Sequence, residues 1–147
     1  MTLMMDSRIL EDVEKVIIDY DKLWKSIHSD VEEIVILALT KKENRYLKVL
    51  KLINCKNLSS EPSMFIADPN CVTYALALCR ALDCIPMIIH SHRVSCMPSK
   101  IDEENMKLWN TVWLIISTSR KMVCAWLAKK NAIQRVEVEH TGSQRFV

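Results

Sequence analysis

A chain of 147 residues with a single glycine, Gly142 near the C-terminus, has to form its tight turns from other residues. Positive φ normally falls to glycine, and asparagine and aspartate are the next residues able to adopt it. Asn44, Asn57, Asp83 and Asn131 stand between apolar segments and are expected to supply those turns. Half of the residues are apolar, enough for one compact domain over 1–140 that closes its core without disulfides or a partner. The polar tail 141–147 is expected to be disordered.

Between these turns, the apolar residues set the element order. Ile9, Leu10, Val13, Val16, Ile17, Tyr20, Leu23, Trp24 and Ile27 recur at three- and four-residue spacing, which predicts an amphipathic opening helix from about Ser7 to Ile27. Ile34 to Leu39 and Tyr46 to Ile53 read as two antiparallel strands joined by a turn at Lys41 to Arg45. Asn57 to Pro69 is loop-like in composition, with a short extended piece at Met64 to Ala67. Pro69, behind the capping residue Asp68, opens a helix through about Leu82. Ile85 to His90 is the most apolar strand and is expected to be central. A short helix from Asp102 to about Asn110 begins with three acids, as the helix dipole favours. Three more strands follow near Val112 to Ser117, Met122 to Leu127 and Ile133 to Val138. The order α-β-β-α-β-α-β-β-β predicts an α/β fold, a mixed β-sheet flanked by helices.

The formal charge is +2 with both signs scattered, so no basic stripe invites nucleic acid. No apolar run approaches the ~20 residues of a membrane span and no leader pattern precedes Ser7, so neither a membrane nor export is expected and a cytoplasmic location is. Cys55, Cys71, Cys79, Cys84, Cys96 and Cys124 form no C-x-x-C pair and sit among apolar neighbours. Buried free thiols are the expectation, with an internal disulfide the alternative for a hyperthermophile's protein.

Chemistry concentrates at His90-Ser91-His92 followed by Pro98-Ser99-Lys100-Ile101-Asp102. Two histidines one residue apart at a strand end point to the same side, and the following helix can return a carboxylate to them. Three nitrogen and oxygen ligands with a fourth position open to water is how catalytic zinc is held; a structural site closes all four. One Zn2+ per chain, on His90, His92 and Asp102, is therefore expected.

These residues resemble the signature H-S/T-H-P-x-x-x-x-x-x-S-x-x-D of the JAMM (MPN+) zinc isopeptidases, in a compact prokaryotic or archaeal form. Glu33-Ile34-Val35-Ile36-Leu37-Ala38-Leu39-Thr40 is similar to the family's E-x-x-G-L-L-x-G, and Phe65-Ile66-Ala67-Asp68-Pro69 to its F-x-x-D-P. Arg93 stands where the family has proline, six residues rather than seven separate His92 from Ser99, and Ile36 and Thr40 replace the two glycines. The resemblance implies a JAMM/MPN, cytidine-deaminase-like fold and hydrolysis of the amide bond after the C-terminal tail of a ubiquitin-like protein. It also implies that Glu33, rather than its neighbour Glu32, is the general base and that Ser99 holds the oxyanion. Such a base and a polarising ion form a coherent hydrolytic pair in their own right.

Ser99 can also cap the following helix. Arg93 is either a solvated loop charge or a clamp on substrate, and Cys96 an extra ligand, a disulfide partner or an inert thiol. His28 and His140 read as surface residues, and Trp109, Trp113 and Trp126 as core. The partner implied is a ubiquitin-like protein or its conjugate, its tail extended beside a sheet edge; a homodimer or larger assembly is left open. The alternative function is a non-catalytic MPN scaffold, which the complete ligand set disfavours. A DNA-repair branch lacks its basic patch here, and a zinc deaminase lacks H-x-E with P-C-x-x-C.

Overall fold

A computed structural model describes residues 10–27, 35–59, 66–129 and 132–141. Seven strands and three helices are present among them: β1 (Lys15–Asp19), α1 (Tyr20–Ser26), β2 (Val35–Glu43), β3 (Tyr46–Cys55), α2 (Pro69–Ala81), β4 (Ile85–His92), α3 (Lys100–Leu108), β5 (Trp113–Ser117), β6 (Met122–Lys129) and β7 (Ala132–Thr141). The strands close into a barrel in the order β1-β3-β2-β4-β5-β6-β7. The pairs β1–β3, β1–β7 and β4–β5 are parallel and the others antiparallel.

The α/β fold expected from the sequence, a JAMM/MPN-type mixed sheet flanked by helices, is thereby corrected: the sheet closes on itself and the helices are few and short. The cause is local. The expected opening helix, whose residues 7–9 lie outside the described residues, is at 15–26 a strand followed by seven residues of helix. Val16-Ile17-Ile18 is a β-branched run that suits a strand, and it satisfies period two as well as helical spacing. Val16 and Ile18 are buried, and Val16 is registered with Leu47 on one side and Val138 on the other. β1 thus fills the gap between β3 and β7 and completes the closure. Asp19 then caps α1 by accepting from the Asp21 and Lys22 amides at 2.9 and 3.3 Å.

Side chains alternate between two apolar clusters. Ile36 and Ala38, Met87 and Ile89, and Leu114 and Ile116 point into the barrel with Val16, Leu47 and Val136. Leu37, Ile88, Trp113 and Ile115 point outward, under α2 and α3, with Val72, Ala75 and Met106. Burial on both faces explains why β2, β4 and β5 carry continuous apolar runs. Asn44 and Asp83 adopt positive φ at 56° and 53°, as the shortage of glycine requires, and Lys121 does so at 52°. Asn57 closes its loop by accepting from the amides of Ser59 and Ile66; Asn131 lies outside the described residues. The extended piece expected at 64–67 is described only from Ile66, where Ala67 bridges Asn57.

Free thiols are also corrected: Cys55–Cys71, Cys79–Cys84 and Cys96–Cys124 are disulfides, and no cysteine is free. Their Cα separations of 5.6, 5.0 and 5.7 Å lie in the ordinary bridging range. His140 belongs to β7 and stacks on Tyr20 at 4.6 Å between ring centroids, whereas a surface position was expected; His28 lies outside the described residues. No helix among the described residues is long and apolar enough to cross a membrane.

Candidate metal centre

The outward-facing side of β4 carries Ile88, His90 and His92 in alternate positions, so the strand's own period brings both imidazoles to the face that α2 and α3 cover. Their ring centroids are 4.6 Å apart and nearly perpendicular. After His92 the chain crosses in a short loop to α3, which Ser99 starts with a reciprocal capping box. The Ser99 hydroxyl accepts the Asp102 amide at 3.1 Å, and the Asp102 carboxylate accepts the Ser99 amide at 2.9 Å. That cap aims Asp102 back at the strand.

The loop itself is held against β5 and β6. The amides of Thr118 and Ser119 donate to the carbonyls of His92 and Arg93 at 2.9 Å each. The Ser117 hydroxyl donates to Val94 O, and the Trp126 indole to Cys96 O at 3.0 Å. Cys96 is bridged to Cys124, which removes it as a metal ligand.

His90 Nε2 lies 3.4 Å from Asp102 Oδ1, and His92 Nε2 lies 2.9 Å from Asp102 Oδ2. One ligand atom from each of the three residues falls within 4.8 Å of the others, and the group can hold a metal ion. Ligands about 2.1 Å from a tetrahedral ion stand roughly 3.4 Å apart, so the donor set fits one small cation. His90 and Asp102 are buried and His92 is half-buried, leaving the His92 side the more accessible.

The electrostatics agree with that use. Burial pushes the His90 imidazole below its ordinary value, against the raising effect of Asp102, which favours the neutral ring that a metal requires. Burial alone would raise the Asp102 carboxyl, but hydrogen bonds from His90, His92 and the Ser99 amide hold it far below the usual carboxylate range. Asp102 is a carboxylate at any physiological pH.

An apolar groove of about 330 Å³ is lined by residues near the donors in strand register and along α3, not by the donors themselves. Val35, registered with His90, and Ile88 form its floor; Val72 of α2 and Trp109 beyond α3 form its walls. Trp113 also lines it and donates from its indole to Trp109 O at 3.2 Å.

Desampylase of Pyrococcus furiosus is 34% identical to this chain over 100 residues, 66% of this chain and 69% of that protein. The chain belongs to the desampylase family. No protein-family model matches it. A Desulfitobacterium hafniense protein determined in solution shares the fold, with a TM-score of 0.74 at 19% identity over 87% of this chain and 94% of that one.

In this desampylase-family chain, the structure brings His90, His92 and Asp102 together and places Ser99 at the cap beside them. Arg93 is exposed next to His92, and its carbonyl rather than its side chain holds the loop. Glu33 and Glu32 lie outside the described residues. The groove lining was not foreseen: Trp109 and Trp113 share the apolar spacing of core residues, and nothing in that spacing marks one side of a ring as a groove wall.

Proposed function

We propose that this chain is a zinc-dependent isopeptidase that hydrolyses the amide bond after the C-terminal tail of a ubiquitin-like protein, with JAMM-type catalytic chemistry. The observation that carries the reading is the His90–His92–Asp102 donor set beside an apolar groove in a relative of desampylase. Zinc in that set supplies Lewis acidity toward the scissile carbonyl and brings the pKa of water toward ~7. Glu33, two residues before the Val35 that is registered with His90, takes the proton of the attacking water and passes it to the departing amine. Ser99, whose oxygen already accepts the Asp102 amide, keeps its hydroxyl proton to donate to the oxyanion. Arg93, exposed beside His92, contacts a carbonyl or carboxylate of the substrate in this reading.

Addition along a whole strand is not how the tail docks, because each described barrel strand has a neighbour on both sides for at least part of its length. The tail instead enters the groove between α2 and α3, where its apolar side chains meet Val72, Ile88 and Trp109. A fluorophore-tagged ubiquitin-like protein from the source organism, assayed with zinc content on the same samples, tests the reading. Cleavage that vanishes with the metal and returns with zinc supports it; zinc-loaded protein inert toward every such tail overturns it.

A further inference from the structure

Each of the three disulfides ties a barrel strand, or the residue leading into one, to a part that frames the site. Cys55, at the end of β3, holds Cys71 in the first turn of α2; Cys84, just before β4, holds Cys79 in its last turn; and Cys124 in β6 holds Cys96 in the loop after His92. α2 is therefore pinned covalently at both ends.

Its non-covalent hold is weak for its length. Of its 13 residues only Val72, Ala75 and Cys79 are buried, one of them a half-cystine, while Tyr74 is 58% exposed. A helix this short is marginal in water and depends on a packed apolar face, which α2 has only in small measure. Yet α2 supplies Pro69, Val72 and Thr73 to the groove beside the metal centre.

Access differs between the bridges. Cys71 and Cys84 are half-buried, giving each α2 bridge one approachable sulfur-bearing residue. Cys96 and Cys124 are 8% and 1% exposed, beneath the loop that Trp126 also holds. We propose that α2 is a reductively releasable wall of the groove: a dithiol reductant opens its two bridges ahead of the third, freeing the helix and disabling the groove while the metal centre stays assembled.

The chemistry balances for each bridge. A reductant thiolate attacks Sγ of Cys71 or Cys84, the S–S bond breaks, and Cys55 or Cys79 leaves as a thiolate that takes up a proton. The reductant's second thiolate resolves the mixed disulfide, so two electrons and two protons pass to the protein and the reductant ends as a disulfide. Only the catalytic consequence rests on the proposed function; the release of α2 does not.

The test uses the full, metal-loaded, oxidised chain titrated with dithiothreitol, with released thiols alkylated and mapped and amide hydrogen exchange followed. Cys55, Cys71, Cys79 and Cys84 are expected to alkylate before Cys96 and Cys124. Exchange across 72–81 should then accelerate roughly tenfold or more while β4 and β5 hold and metal content is unchanged. On a cleaved substrate, KM should rise about fivefold or more with kcat within about twofold. Cys71→Ser with Cys84→Ser should reproduce this without reductant, and if that variant does not fold, the reduced wild type decides. Earlier opening of Cys96–Cys124, unchanged exchange in α2 once its four thiols are released, or an unmoved KM would each overturn the proposal. A protein that cleaves nothing sinks the proposed function, whereas alkylation and exchange still judge the release of α2.

Discussion

His92 Nε2 stands 2.9 Å from Asp102 Oδ2, the same carboxylate oxygen that accepts the Ser99 amide at 2.9 Å. One oxygen therefore links the strand that carries the imidazoles to the cap that starts α3. A change at the cap is felt at the metal centre, and a change in ligand charge is felt at the cap.

The ligand set predicts about one zinc per chain in protein prepared without chelators, and near-complete loss with His90→Ala and His92→Ala together. Elemental analysis measures it, with circular dichroism to check that the barrel persists. Zinc retained by the double variant would refute the assignment.

Glu33→Gln should reduce cleavage by ~10²–10⁴-fold with zinc content unchanged, because the amide matches the carboxylate in size but cannot take the proton. Glu32→Gln should cost little. Steady-state rates on a tagged tail decide, and a wild-type rate for Glu33→Gln would transfer the role to Glu32.

Ser99→Ala removes one half of the capping box and should destabilise the metal-free protein by about 1 kcal/mol. Ser99→Asn can restore the cap but offers no hydroxyl to an oxyanion. Recovered denaturation midpoint with unrecovered kcat is the expected signature of the double role; full recovery of both would reduce Ser99 to a cap.

Metal-free protein should lose stability as the pH falls. His90 and Asp102 are both held below their ordinary values, so the unfolded chain binds protons more readily. The His90 contribution is complete above about pH 6.5 and declines below it; that of Asp102 is complete above about pH 4 and declines below that. Chemical denaturation across pH measures this, and Asp102→Asn should flatten the more acid part of the curve. A wild-type curve that rises on acidification would contradict the direction of both shifts.

Trp109→Ala should raise KM for a tail substrate several-fold with kcat little changed, since Trp109 lines the groove and is not one of the three donors. An equal fall in kcat and kcat/KM would instead place the ring at the reacting bond.

The site was legible in the sequence wherever function depends on local spacing. An H-x-H at the end of an apolar strand places two imidazoles on one face through the strand's period of two, and Ser99 lies three residues before Asp102, the spacing of a capping box. The boundaries of α2 and the turn at Asn44 follow equally from Asp68-Pro69 and from the shortage of glycine. Closure of the barrel was not legible. Residues 15–19 satisfy helical and strand periodicity alike, and only the places waiting beside Leu47 and Val138 make them β1. The cysteines behave likewise, since an apolar neighbourhood reads the same for a buried thiol and a half-cystine until folding brings residues 16, 5 and 28 positions apart within bridging distance. The sequence by itself determined the candidate donor set His90, His92 and Asp102, because strand period and helix cap are short-range. Only the tertiary structure decided the barrel, the bridges and the groove, because each depends on which distant segments meet.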